Sequence, residues 1–383
     1  MKYFIEASAA LIHRDLEIKR NVSLYIEDGI IESIGLSGFS VNSNVLKIDL
    51  RGGIVIPSLV NSHIHTADIG FEEIGWDLDI DSVVGEPYGL KYLLLKKYRE
   101  ETSRYIARSL RLSLETGVMI LNDFREGGLE GLRHSVEAAR EIKDLIYIPS
   151  YMPDLERETE DLEKSLRTAL EKTKWVGISS PHYYTDDQLK KIDSIARETD
   201  SWIITHVAET REVREERDLE KISSLDRVRA VVHALYLNYD EISELSDRGV
   251  TFILCPRSNM WFGSGYINID LFKLEEVRIA LGTDNAGWIK PDLWREMETL
   301  INMLRLKSVN IDPRKTLQYA TVNGGDLFGV KNYIEEGLEP MIIGLKSDWI
   351  NPDRSGDLYL SIVKRGGAES IRIRVFGDTL RLI

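Results

Sequence analysis

Two histidines one residue apart, His63 and His65, close the run Ile-Val-Ile-Pro-Ser-Leu-Val-Asn-Ser-His-Ile-His that starts at Ile54. On an extended chain the side chains at i and i+2 share a face, so both imidazoles project together. Converging neutral imidazoles are what a borderline-soft cation such as Zn²⁺ takes as ligands. His206 and Asp284 add matching donors further along. Together the four residues would give one divalent metal three nitrogens and one oxygen and leave a position for water. An open position marks a catalytic site, in which the cation lowers the pKa of its water toward ~7. Fe²⁺, Mn²⁺ or Ni²⁺ suit the same donors. Asp284 can both ligate the metal and accept a proton from the water. Glu209, three residues past His206, can carry a proton from the attacking water to a ring nitrogen of a substrate; the same residue also reads as the start of a charged helix, 209–221. Arg125 offers a guanidinium for a substrate carboxylate or carbonyl, or else an internal salt bridge.

These residues need elements to bring them together. Short apolar stretches at 54–60, 118–122, 145–149, 175–179, 202–206, 230–233, 250–255 and 278–283 read as strands. Helix-period segments fall between them at 89–116, 129–142, 155–172, 185–198, 239–247 and 291–306. Such alternation predicts an α/β fold with a parallel sheet, and eight strands in this alternation predict a (β/α)8 TIM barrel. A barrel carries its chemistry at the C-terminal strand ends. His63 and His65, His182, His206 and His233 all fall on or just beyond those ends, with Cys255-Pro-Arg-Ser-Asn259 after strand seven and Asp284 after strand eight. Outside 54–335 the pattern is β-like. Asp28-Gly29 between two apolar runs is a type I′ hairpin signal. Residues 358–363, 370–376 and 379–383 alternate apolar and polar. We therefore expect segments 1–53 and 336–383 to build one small β-sandwich from both chain ends. Residues 67–88, acid-rich and containing Trp76, form a long connection after strand one, the kind of segment that becomes a lid or binding loop.

Composition sets the outer limits. The 383 residues are 43% hydrophobic and 29% charged, enough for a large core. The net charge of −14 argues against nucleic acid or an anionic membrane as partner. No apolar run approaches the ~18 residues a membrane span needs, and Glu6 interrupts the stretch where a signal peptide would be apolar. A single cysteine fits a reducing cytoplasm. Two glutamines among abundant Glu, Lys and Arg hint at a hot-living source.

Taken in order, Pro57–His65, His206-Val-Ala-Glu209-Thr, Val-Val-His233-Ala-Leu, Cys255-Pro-Arg-Ser-Asn259, Leu281-Gly-Thr-Asp284 and Ala320-Thr-Val-Asn-Gly324 resemble the amidohydrolase superfamily. The likeness is to the branch of cytosine, guanine and adenosylhomocysteine deaminases and triazine chlorohydrolases, and it runs through the whole chain. The resemblance implies hydrolysis of a C–N bond of an aminated N-heterocycle, with Glu209 as proton shuttle and His233 hydrogen-bonded to the attacking hydroxide. His233 could instead ligate a second metal. No lysine stands at the C-terminal end of strand four to bridge two ions, Lys174 lying at its start, so one metal is expected. His182 resembles a substrate-facing histidine of the branch, or braces its own loop. Arg257 and Asn259 match a motif read as support for strand seven, and Cys255 as core. In this family the region after strand one helps to choose the substrate, which brings in Trp76. Residues 337–346 lack the Ala-Asp-Leu-Val pattern usual in the family. The partner is then a small molecule, and a homodimer is expected from the branch. The same site could release chloride or an alkylamine or open a cyclic amide, and a non-catalytic relative would keep only the scaffold.

Overall fold

The computed structural model describes residues 1–36, 44–155 and 161–383. Its strands in chain order are β1 (Lys2–Ile12), β2 (Glu17–Glu27), β3 (Ile30–Leu36), β4 (Leu46–Pro57), β5 (Leu59–His65), β6 (Val118–Arg125), β7 (Ile146–Tyr151) and β8 (Trp175–Ile178). Then come β9 (Trp202–Val207), β10 (Val228–His233), β11 (Thr251–Leu254), β12 (Arg278–Leu281), β13 (Asp284–Asn285), β14 (Met341–Leu345), β15 (Ile371–Phe376) and β16 (Thr379–Leu382). They form two sheets. A curled sheet of nine strands runs β12-β11-β10-β9-β8-β7-β6-β5-β13, and a separate sheet of seven runs β16-β15-β14-β4-β1-β2-β3. The fold is α/β.

The nine-stranded sheet is parallel throughout. Its first and last members, β12 and β13, are one passage of chain interrupted by Gly282 and Thr283. Gly282 N–H bonds to Leu254 O (3.0 Å) on one side, and Thr283 N–H to His63 O (2.9 Å) on the other. A Cβ on Gly282 would lie 2.8 Å from His63 Cβ, so only glycine lets this passage sit against the histidine strand. Helices pack outside. Among them, Asp186–Glu198 and Tyr239–Asp247 each open on a capping box, Thr185 with Gln188 and Asn238 with Glu241. Inside the curl lie Phe124, Met152, Trp175, Ile204, Val232, Ile253 and Cys255, an apolar plug beneath the polar strand ends. Cys255 is core, as its strand position suggests.

Several expectations need correction. The run 54–60 is not one strand. Ile54–Pro57 ends β4 of the small sheet, the chain turns at Ser58, and β5 carries both histidines within the strand, not after it. The two chain ends meet in one continuous hydrogen-bonded sheet, with β14 joining β4 on one side and β15 on the other, and its strands share one buried apolar cluster. Residues 358–363 are helical, Leu358–Arg365, because Asp357 caps Leu360 N–H (2.9 Å) and Leu358 and Ile362 fall on one buried face. The helical run 89–116 breaks into Leu90–Lys97 and Thr102–Glu115. The 155–172 segment is helical over Leu162–Leu170, while its residues 156–160 lie outside those described. At the other end of the small sheet, Asp28 (φ 49°) and Gly29 (φ 78°) both take the left-handed conformation that a type I′ turn requires.

Candidate active site

Strand β5 sets His63 and His65 on one face, β9 carries His206 as its penultimate residue, β10 ends in His233, and β13 begins at Asp284. His63 Nε2 is 3.2 Å from His206 Nε2 and 3.3 Å from Asp284 Oδ1, and His65 Nε2 is 3.4 Å from the same oxygen. Ligand-type atoms of His63, His206, His233 and Asp284 lie within 4.8 Å of one another, all buried. Burial drives the His63 pKa down to about 3, and burial with the neighbouring histidines takes His206 well below its ordinary value. Burial opposes ionisation of Asp284, but the His63 hydrogen bond and the surrounding imidazoles outweigh it, and its pKa falls well below the usual carboxylate range. Neutral imidazoles around an ionised carboxylate are the protonation state that a divalent cation needs.

The second layer fixes these groups. His206 Nδ1–H meets Ile178 O at 3.2 Å, leaving Nε2 bare toward the cluster. Asp284 Oδ2 accepts from Ser258 Oγ (2.5 Å), and its Oδ1 from Asn285 Nδ2 (2.9 Å). His65 Nδ1 pairs with Glu126 Oε1 at 2.5 Å, the carboxylate–histidine arrangement that orients metal-binding imidazoles. His233 (φ 72°), Ala234 (φ 53°) and Asp284 (φ 63°) sit in the left-handed region, a conformation that non-glycine residues hold only where the surroundings impose it.

Glu209 follows a turn at Ala208 (φ 49°), whose N–H bonds to buried Asp218 Oδ2 at 2.5 Å. That anchor aims Glu209 back over the strand ends, where Oε1 lies 3.5 Å from His233 Nε2. Burial raises the Glu209 pKa. Asn259 Nδ2 donates to His233 Nδ1 at 2.8 Å. With Nδ1 engaged by Asn259, Nε2 faces Glu209 and the cluster without a hydrogen-bond partner among the described residues. Asn259, in the short helix after β11, thereby touches His233 directly.

A cavity of about 60 Å³ opens above these groups, lined by His65, His206, Glu209, His233 and Asp284 and roofed by Ile80, Asp81 and Val84. The roof is a one-turn helix, Ile80–Val84, capped by Asp79, so residues 67–88 do contain ordered structure. His182 lines this cavity, its Nδ1 hydrogen-bonded to Ser180 Oγ at 2.7 Å; it thus faces the substrate space and braces its loop. Glu86, pushed up to about 7 by burial, accepts from Ser179 Oγ. Two expected substrate contacts are placed elsewhere. Arg125 is fully buried and pairs with Glu126 and with Asp123 (3.4 Å), facing an adjoining cavity of about 320 Å³ and not the one over the histidines. Trp76 is 68% exposed and lines neither. Sequence reading missed Lys91, Glu126 and Asp68, which form a buried charged group behind His65. Lys91 lies in an otherwise apolar helical stretch, Leu90-Lys-Tyr-Leu-Leu-Leu95, and a single charge there was the available signal.

The family model described as "Amidohydrolase family" matches residues 54–364, most of the chain. The chain belongs to the amidohydrolase family. As a member of it, the protein is a metal-dependent hydrolase of carbon–nitrogen bonds other than peptide bonds. Similar proteins include a 5-methylthioadenosine/S-adenosylhomocysteine deaminase of Pyrococcus abyssi, 25% identical over 96% of this chain and 91% of the relative. A 5′-deoxyadenosine deaminase of Methanosarcina mazei is 25% identical over 94% of this chain and 87% of the relative. The crystal structure of a guanine deaminase from C. acetobutylicum with bound guanine superposes with a TM-score of 0.81 at 15% identity, covering 100% of both chains; this likeness speaks for the fold. In the amidohydrolase described here, no helix among the described residues is long and apolar enough to cross a membrane.

Proposed function

We propose that this amidohydrolase is a deaminase that replaces the exocyclic amine of a small aminated N-heterocycle by oxygen, with release of ammonia. The observation that carries the reading is the pairing of Glu209 with His233, 3.5 Å apart, over the cluster of His63, His65, His206 and Asp284. These four would hold one divalent ion, with Zn²⁺ as the ion that best suits three imidazoles and a carboxylate. When bound, the metal supplies an acidified water as nucleophile. Asp284, its second oxygen held by Ser258, would take a proton from the attacking water. Glu209, protonated at the outset, would give its proton to the ring nitrogen beside the attacked carbon, take one from the added hydroxyl and pass it to the leaving amine, and the proton held by Asp284 would restore it. His233, with its proton on Nε2, donates a hydrogen bond to the oxygen that develops charge. His182 and the Ile80–Val84 roof enclose the ring and exclude water.

The same reading makes the curled sheet a closed (β/α)8 barrel, in which β12 and β13 are one interrupted eighth strand, spanning 54–335. Segments 1–53 and 336–383 make up the second unit. A lone buried cysteine accords with a reducing cytoplasm. The test is ammonia release from zinc-loaded protein across aminated purines, pyrimidines, pterins and triazines, with mass spectrometry of the products. We expect one ring class to be turned over, and Glu209→Gln to lower kcat by about 10²–10⁴-fold at unchanged metal content. Turnover by the variant at the wild-type rate would remove Glu209 from the mechanism. A dechlorinated or ring-opened product would remove deamination.

A further inference from the structure

Behind the metal cluster lies a second set of ligand-type atoms. One nitrogen of His65 and carboxylate oxygens of Asp68 and Glu126 fall within 4.8 Å of one another, all three residues buried. One imidazole nitrogen and two carboxylates form a donor set that a divalent cation accepts. His65 belongs to both sets, with Nε2 toward Asp284 and Nδ1 toward Glu126. Yet a cation of the chain already stands among these atoms. Lys91 Nζ is 2.5 Å from Glu126 Oε1, 3.3 Å from Asp68 Oδ2, 3.0 Å from His65 Nδ1 and 3.1 Å from Asn285 Oδ1. Its side chain is 2% exposed.

An ammonium has three protons. Glu126 and Asn285 accept from it, and the Asp68 carboxylate faces it as an ion-pair partner at 3.3 Å. Lys91 is thus engaged by groups of the chain, although it lines the catalytic cavity. Burying an ammonium is costly unless its partners match it, and here they are two carboxylates and an amide around one point. Neither oxygen of Asp68 has a hydrogen-bond partner among the described residues; the Lys91 ammonium is the foremost of the charges that offset its burial.

We propose that Lys91 is the resident second cation of this active site. Its ammonium takes the place that a second divalent ion would occupy among His65, Asp68 and Glu126, keeps the site to a single metal, and holds Glu126 against His65. Lys91 is thus a positioning residue, acting on the metal site through Glu126 and His65. Its helix, Leu90–Lys97, is the next helix after the roof segment Ile80–Val84, five residues on, so the same ammonium ties the chain that carries the roof to the metal ligands. This inference rests on the metal site proposed above, and metal counting separates the two.

Wild type, Lys91→Ala, Lys91→Arg and the double variant Lys91→Ala/Asp68→Asn are loaded with excess Mn²⁺, freed of loose ions by gel filtration, and examined by elemental analysis and electron paramagnetic resonance. One Mn²⁺ per chain is expected for wild type and Lys91→Arg. Two are expected for Lys91→Ala, with a spectrum broadened by coupling between ions that share His65, and one again for the double variant. Lys91→Ala with one Mn²⁺ and the wild-type spectrum would overturn the proposal, as would two ions in wild type. Wild type that holds no metal would overturn the metal site itself, and this inference with it. Should Lys91→Ala fold poorly alone, Mn²⁺ must raise its melting temperature by more than it raises that of wild type, because the second ion replaces the lost ammonium. An equal rise in both would count against Lys91 as a cation surrogate.

Discussion

In the proposed mechanism His233 depends on a residue outside the cavity lining. Asn259 Nδ2 lies 2.8 Å from His233 Nδ1, and an amide N–H donated there would keep the proton of the ring on Nε2, on the side of Glu209. Asn259→Ala releases that control, and we expect kcat to fall about 10–100-fold with metal content and melting temperature nearly unchanged. Asn259→Asp is the sharper variant. An acceptor at the same position draws the proton to Nδ1, so kcat should fall at least as far despite the near-identical size. Full activity of Asn259→Asp would mean that the tautomer of His233 does not matter. Residues such as His233 were legible in the sequence because histidine is scarce, seven in the chain, and five of the seven stand at or near strand ends. Lys91, Asp68 and Glu126 were not, because 49 basic and 63 acidic residues mostly read as solvated surface. Which few of them are buried is settled by tertiary packing alone.

At the scale of elements, the strand ends hold their geometry only if the loops after them are fixed. Strand β11 hands over to a short helix, Pro256–Trp261, that carries both Ser258 and Asn259. This helix is tied to the long helix Leu293–Leu306 by Glu296, whose Oε2 accepts from Arg257 N–H at 3.0 Å. Burial pushes the Glu296 pKa up to about 8, against an ordinary value near ~4.3. Between those values the folded chain keeps a proton that the unfolded chain has lost. Its stabilising contribution is complete at low pH and is lost as pH rises toward 8. Glu296→Gln keeps the acceptor and cannot ionise, so thermal melts from pH 5 to 8 should show wild type losing stability relative to the variant as pH increases. Parallel pH profiles would show that Glu296 does not hold its proton in the folded state. Elements were legible where one period dominated, as in β9 to β12, and misread where two coexisted. Leu358-Tyr-Leu-Ser-Ile alternates like a strand but also repeats at i and i+4. The deciding feature was Asp357, a helix N-cap placed just before it.

For the whole molecule, the question is whether the small sheet is a passenger. The sequence showed that both chain ends belong together, but not how tightly they are joined to the histidine strand. That junction is one residue, Ser58. Its Oγ and carbonyl bond to the Asn332 side chain at 3.0 and 2.8 Å, and its N–H bonds to Met341 O at 2.8 Å. Packing follows the same route, since one continuous core joins Ile64, Ile106 and Leu110 to Leu11, Leu16, Ile343, Leu345 and Ile371 of the terminal segments. Each large side chain of this kind is worth about 1.5–3 kcal/mol when buried, so uncovering the surface beneath five of them approaches the roughly 5–15 kcal/mol that holds a whole domain folded. We therefore expect fragment 54–335, though it contains every proposed metal ligand and Glu209, to be insoluble or metal-free when expressed alone. The intact chain should unfold in one calorimetric transition whose midpoint rises with added Zn²⁺. A soluble fragment that binds one equivalent of zinc, or a wild-type thermogram with two separated transitions, would instead make the terminal sheet an independent unit, and the placement of His63 and His65 would then have to come from the nine-stranded sheet alone.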